Sequence, residues 1–246
     1  MSKLLTTNNH KTIKSLGLGW ITYILYMSPY NRNSKGINLC PFASRGCAAA
    51  CLVDSGLGGI YKTVKDARLN RTEFYLSDRQ AFLNQIDKEI TAAKKKHAGK
   101  AILTIRLNGT SDISYEKLKV RDGKTIFELH NDVQFYDYTK NYLRFDKVLP
   151  ANYHLTFSKS EDNTDKALEL LSRGENVAIV FEGKVLPDSY MGYKVISGDE
   201  TDLRHLDPKG VIVGLTYKMN TGKGANNKGN MLSGFVVTKE EVRLAA

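Results

Sequence analysis

Asp162-Asn163-Thr164-Asp165-Lys166-Ala167-Leu168-Glu169-Leu170-Leu171-Ser172-Arg173-Gly174 leads directly into Asn176-Val177-Ala178-Ile179-Val180-Phe181, and this junction decides the fold class. The first half opens on polar, helix-starting residues and stops at a glycine, so it predicts a helix over 166–173. The second half is a continuous apolar run with no polar alternation. Such a run suits a strand buried on both faces, as parallel sheets require.

The same unit recurs on both sides. Residues 20–27, rich in aromatic and β-branched types, predict a strand. Phe82, Leu83, Ile86, Ile90 and Ala93 recur at helical spacing behind Ser77 as a plausible N-cap, and Gly99 stops that helix. Strands are expected at 101–107, 133–138, 153–157, 193–196 and 210–215, with a short helix near 125–130. Strand, loop and helix in repetition indicate an α/β fold with a parallel sheet. The number of units favours a TIM-like (β/α) barrel, whole or partial, over an open doubly wound sheet. Residues 1–246 read as one barrel-like domain, with an N-terminal extension at 1–16 and a Gly/Asn/Lys-rich mobile loop at 219–234. No internal repeat or linker interrupts it.

All three cysteines fall in one short loop after the first strand: Cys40, Cys47 and Cys51. Thiolates held this close need a metal or cluster to neutralise them. Three ligands also leave one position of a four-coordinate site open, as in reactive centres. An iron–sulfur cluster with one free iron is the leading reading. Buried free thiols, a disulfide plus one free thiol, and zinc with a fourth ligand from elsewhere stand beside it. No histidine is near the trio in sequence, and the C-x2-C pairs common at structural zinc are absent. Cys47 and Cys51 are four residues apart, so one helical turn would place both on one face. Gly46 and the alanines at 48–50 leave room beside them.

Ligands of parallel α/β sheets bind at the carboxyl ends of the strands. The residues just past each predicted strand are polar: Arg106, Asn108, Ser111 and Asp112; Asp137, Thr139 and Lys140; Ser158, Lys159 and Ser160; Glu182; Asp199, Thr216 and Lys218. The cysteine loop belongs to the same rim.

Composition sets outer bounds. Of 246 residues, 41% are hydrophobic and 25% charged, ordinary for a globular protein. Residues 20–27 are too few to cross a bilayer, and residues 1–19 carry no apolar signal segment, so no membrane association is expected. Reduced cysteines would place the protein in a cytoplasm. The net charge of +10 favours polyanions, but the lysines are spread along the chain. The densest run, Lys94-Lys95-Lys96, closes a predicted helix. Weak, salt-sensitive, non-specific binding to nucleic acid is therefore expected.

A three-cysteine loop after the first strand of a (β/α) barrel resembles the radical S-adenosylmethionine enzymes. These hold a [4Fe–4S] cluster by three cysteines and leave the fourth iron for the methionine part of S-adenosylmethionine. The spacing here is C-x6-C-x3-C against their usual C-x3-C-x2-C, and Asn108-Gly109-Thr110 stands where they carry a Gly-Gly-Glu-type segment. A closer resemblance is to the bacteriophage gene-product-88 domain family. It rests on the segment from Leu39 to Leu52, on Arg106-Leu107-Asn108-Gly109-Thr110-Ser111-Asp112-Ile113, and on Phe135-Tyr136-Asp137-Tyr138-Thr139-Lys140, within residues 15–218. These resemblances imply a [4Fe–4S] cluster on Cys40, Cys47 and Cys51. They also imply a small ligand at the open iron, with S-adenosylmethionine a candidate. Asn108, Ser111, Asp112, Asp137, Lys140 and Ser158 would hold its polar groups. The chain would then be phage-encoded and act in the host cytoplasm. Two other functions remain in view: a cluster-bearing nucleic-acid-binding or redox-sensing factor without turnover, and a zinc-stabilised interaction protein.

Overall fold

The apolar runs read as strands form strands, and the amphipathic stretches between them form helices. The computed structural model describes residues 2–7, 10–221 and 225–245. In chain order the strands are β1 (Leu5–Thr6), β2 (Trp20–Leu25), β3 (Ile102–Arg106), β4 (Lys119–Arg121), β5 (Lys124–Thr125), β6 (Gln134–Thr139), β7 (Tyr153–Ser158), β8 (Val177–Phe181), β9 (Ser189–Tyr190), β10 (Tyr193–Ser197), β11 (Ile212–Thr216) and β12 (Val236–Val237). The helices are α1 (His10–Leu16), α2 (Arg45–Ala49), α3 (Gly56–Ile60), α4 (Lys62–Ser77), α5 (Arg79–His97), α6 (Ile126–Leu129), α7 (Thr164–Ser172), α8 (Asn227–Met231) and α9 (Lys239–Leu244).

Ten strands form one sheet in the order β1-β2-β3-β6-β7-β8-β11-β10-β9, with β12 also on β8. Every pairing in it is parallel except β1 on β2 and β9 on β10. The result is a mixed α/β fold with a large, mostly parallel sheet. The strand count predicts a TIM-like barrel, whole or partial; among the described residues the sheet does not close. Closure would require β2 to pair with the last parallel strand. The free edge of β2 is instead occupied by antiparallel β1, from the supposed N-terminal extension, and that of β10 by antiparallel β9. Both edge strands are only two residues long, too short to announce themselves in the sequence.

Helix starts show one further difference. Ser77 ends α4, where its hydroxyl donates to the Phe74 carbonyl at 3.1 Å. Asp78 caps α5 in its place, accepting from the Ala81 N–H at 2.9 Å. A carboxylate is the stronger acceptor at a positive helix end.

Alternation divides each strand between two faces. Leu103, Ile105, Phe135 and Leu155 pack on Phe82, Ile86 and Ile90 of α5. Phe157, Val177, Ile179 and Ile212 pack on Ala167, Leu170 and Leu171 of α7. The intervening positions are polar and buried. Thr22 Oγ1 lies 2.8 Å from Thr104 Oγ1 and 3.2 Å from Tyr136 Oη. Arg106 donates to Asp202 at 2.6 Å, both being buried. A single turn at Arg204–Leu206 covers this face, against β6 and β7. Among the described residues no helix is long and apolar enough to cross a membrane.

His154 on β7 and His205 on the covering turn share this interior. Burial, with Arg204 adding repulsion to both, lowers each pKa from 6.5 to about 4. An imidazole with a depressed folded pKa takes up its proton more readily when unfolded. Its contribution to stability is therefore lost as pH falls from about 6.5 towards 4. Burial raises Asp137 and Asp207 to about 6, which has the opposite sign and offsets this loss below pH 6. Both imidazoles are expected to remain neutral at pH 6 in NMR titrations of the folded protein. Imidazolium signals from either at that pH would show that the covering turn does not seal this face.

Candidate functional site at the cysteine loop

The cysteine loop is fixed at both ends and in the middle. Leu39, just before the first cysteine, is buried, and its carbonyl accepts from the Asp112 N–H at 2.8 Å. At the far end Arg32 grips Asp54 with two hydrogen bonds of 2.8 Å each. In the middle, Ser44 caps α2 by accepting from the Cys47 N–H at 3.1 Å. Ser44 also donates to Glu161 at 2.7 Å, and the Glu161 carboxylate accepts from the Gly46 N–H at 2.6 Å. A Cβ at position 46 would lie 2.7–2.9 Å from Ser233 Oγ and the Glu161 oxygens, which explains the glycine.

The spacing of Cys47 and Cys51 does not act as expected. Helix α2 ends at Ala49, and Cys51 has φ −59° and ψ 130°, outside any α-helical turn. The thiols nevertheless share one electrostatic environment. Cys40 feels Cys51 and Cys47, and Cys51 feels Cys47. Burial pushes Cys40 up to about 12 and raises Cys47 and Cys51 as well. Without a counter-charge all three are neutral thiols at pH 7. Among the described residues, no three His, Cys, Asp or Glu side chains group closely enough to hold a single metal ion.

Cations surround these sulfurs. Lys140 acts on Cys47 through its charge and a hydrogen bond. Its ammonium is held by Ser158 Oγ at 2.8 Å and by the Ser158 and Lys159 carbonyls at 3.3 Å each, above the Phe235 ring. Arg32 acts on Cys51 and Cys40. Arg68, on α4, acts on Cys51, and its Nη1 donates to the Val53 carbonyl at 3.2 Å. Among the described residues neither Lys140 nor Arg68 has a carboxylate within ion-pair distance. Burial lowers the Arg68 pKa accordingly.

The polar residues expected to bind a ligand occupy this same end of the sheet, but most of them bind one another. Asn108 donates its N–H to Asp137 at 2.9 Å and its side-chain amide to the Ile113 carbonyl at 2.9 Å; its Oδ1 accepts from Ser111 at 2.9 Å. Asp137 also accepts from Tyr153 at 3.0 Å. Asp112 accepts from Thr139 Oγ1 at 2.7 Å and from the Lys140 N–H at 2.9 Å. Together they form a brace that fixes the 108–112 loop beneath Cys40. Lys140 is the member that meets a thiol, with Ser158 holding its ammonium, and Asp112 acts on Cys40 and Cys47 through its charge. Asp199, Thr216 and Lys218 make a separate cluster at the ends of β10 and β11, and Glu182 accepts from the Lys239 N–H near α9.

Arg32, Arg68, Glu161, Ser44 and Phe235 belong to the site without having been expected there. Glu161 stood next to the rim residue Ser160, so position alone could have found it. Pairing explains how Phe235 arrives. Strands β7 and β8 pair at Phe157–Val177 and Ser158–Ala178, and β12 takes over the end of β8 at Val180 and Phe181. The wedge this makes brings residues 220–221 and 233–235 against the cysteine loop. The Asn220 side chain donates to the Ala49 carbonyl at 3.0 Å, and Thr221 Oγ1 to the Gly56 carbonyl at 2.9 Å. These contacts and α8 fall within the stretch expected to be mobile, whose positions 222–224 lie outside the described residues. Two shallow hollows of about 260 and 330 Å³ lie elsewhere, and neither is lined by a cysteine.

The Gene product 88 family matches residues 3–231, nearly the whole chain. The protein belongs to the Gene product 88 family. This is the phage family indicated by the segments around Cys40–Cys51, Arg106–Ile113 and Phe135–Lys140, and membership supports a bacteriophage origin. No curated protein and no solved structure matches the chain. The likeness to radical S-adenosylmethionine enzymes has no support among these comparisons.

Proposed function

We propose that this Gene product 88 protein is an iron–sulfur protein holding a [4Fe–4S] cluster on Cys40, Cys47 and Cys51. The observation that carries the reading is the pair of cations beside the thiols, Lys140 at Cys47 and Arg68 at Cys51, which among the described residues have no carboxylate within ion-pair distance and feel Asp112 and Asp54 only from further away. A half-buried cation beside a neutral thiol is poorly compensated. Three thiolates on a cluster would supply the missing negative charge, and the cations would in turn favour the thiolate forms. Thiolate donors are also the set that selects iron–sulfur clusters or zinc. A four-iron cluster spreads its protein ligands over three different irons, so its sulfurs need not converge on one point. Zinc is the weaker reading because no histidine is near the trio in sequence and the C-x2-C pairs common at structural zinc are absent.

In this reading the parallel sheet is a partial (β/α) barrel with the cluster loop at its mouth. The open iron would accept a small ligand, with Lys140 and Ser158 nearest among the candidate binding residues. S-adenosylmethionine is the ligand nominated by the radical-enzyme resemblance, which would make the protein a radical enzyme. The phage host's cytoplasm is the compartment that would keep such a site reduced.

Anaerobic purification followed by iron and acid-labile sulfide analysis tests the cluster. Close to four irons and four sulfides per chain, with an electron paramagnetic resonance signal on reduction, are expected from a [4Fe–4S] site. Stoichiometric zinc without sulfide would overturn the reading. Titration with S-adenosylmethionine then separates an enzyme from a binding protein, because ligation of the open iron changes the resonance spectrum.

A further inference from the structure

The cations around the cysteines are not equivalent. Arg32 is tied to Asp54, and Asp54 also acts on Arg68. Both arginines act on cysteines through their charge. Lys140 acts on Cys47 through its charge and a hydrogen bond, and the fold holds it still. It follows directly on β6, and its backbone N–H donates to Asp112 at 2.9 Å. Strands β6 and β7 pair as far as Thr139 and Phe157, so the next residues, Lys140 and Ser158, stand side by side. The ammonium donates to Ser158 Oγ at 2.8 Å and to the Ser158 and Lys159 carbonyls at 3.3 Å each, against the Phe235 ring at 5.0 Å. These contacts fix one positive charge beside a sulfur.

Two acids oppose it. Glu161 and Asp112 also act on Cys47, each more weakly than Lys140. Both are engaged elsewhere: Glu161 accepts from Ser44 and the Gly46 N–H, and Asp112 accepts from Thr139, with Arg144 at 3.4 Å. Lys159, buried after β7 and close enough to feel Lys140, adds to the positive side. Net charge and hydrogen bonds to the sulfurs are among the factors that set the potential of an iron–sulfur cluster. Resting on the cluster reading above, we infer that Lys140, fixed by Ser158 and Lys159 beside Cys47, raises the reduction potential of the cluster and opens its reduced state to a low-potential one-electron donor. The donor loses one electron and the cluster gains it; no bond breaks and no proton is transferred. The added negative charge is what a fixed cation beside a ligand sulfur favours.

Redox titration of the anaerobic full chain with dithionite, followed by electron paramagnetic resonance, provides the test, with iron and sulfide counted in every sample. Lys140→Met removes the charge and keeps an apolar stem of similar length. At a fixed potential its ratio of reduced to oxidised cluster is expected to fall about tenfold, a downward shift of about 59 mV for a one-electron couple. Lys140→Arg keeps the charge and should recover most of the ratio. The shift should persist at high salt, because Lys140 is half-buried and screening acts mainly on exposed charges. Lys95→Met, near the end of α5 that leads into β3, should leave the potential unchanged. Unaltered protein without iron and sulfide would remove the cluster reading itself, and this inference with it. A full cluster in Lys140→Met at an unchanged potential, or an equal shift in Lys95→Met, would overturn the role of Lys140 alone. If Lys140→Met loses its cluster, Ser158→Ala decides, since it leaves the charge but removes its closest anchor. A smaller downward shift in that variant supports the inference, and no shift overturns it.

Discussion

Cys47→Ala is expected to purify anaerobically with iron and sulfide reduced to background, while its circular dichroism matches that of the unaltered protein. Cys40→Ala and Cys51→Ala should behave alike. The three thiols sit in one electrostatic environment, and burial raises each of them, so each becomes a thiolate only with a metal to hold it. Losing one ligand leaves two sulfurs for a cluster that needs three. The loop itself should survive, because Ser44, Glu161, Arg32 and Asp54 fix its course without help from any sulfur. A set of alanine variants that all retain wild-type iron and sulfide would remove these cysteines from the site.

Asp202→Ala is expected to destabilise the fold by about 3–5 kcal/mol, the usual cost of stranding one partner of a buried ion pair. Arg106 and Asp202 are both buried, and their 2.6 Å contact is the only carboxylate pairing Arg106 has among the described residues. Burial alone would lower the Arg106 pKa, but Asp202, together with Tyr136, Tyr138 and Asp137, outweighs it, and the guanidinium remains charged. The rings of Tyr136 and Tyr138, at 5.7 and 5.0 Å, cannot replace a carboxylate. Arg106 Nε already lacks a hydrogen-bond partner in the protein. For a chain of this size the loss corresponds to a melting temperature lower by roughly 6–20 °C. Denaturant or thermal unfolding measures it. A change under about 1 kcal/mol, as for an exposed pair, would mean that water reaches this face.

The sequence by itself determined the local and periodic features. The apolar run over Val177–Phe181, the helical spacing from Phe82 to Ala93 and the stop at Gly99 are short-range patterns, and a parallel α/β sheet follows from them. The clustering of Cys40, Cys47 and Cys51 was equally plain, because it is a fact of spacing. Barrel closure was not legible. It turns on β1 and β9, two-residue strands whose pairing depends on which sheet edges are free. The relation of Cys47 to Cys51 was misjudged because α2 ends at Ala49, two residues short of Cys51, with Ala50 turning the chain out of the helix. Polar residues such as Asn108, Asp112 and Asp137 were legible as a group at the strand ends. That they brace one another could be seen only from their distances. Tertiary structure alone brought Lys140, Arg68 and Glu161 to the cysteine loop. Coulombic and hydrogen-bonding partners are chosen by distance in space, which the order of residues along a chain does not fix.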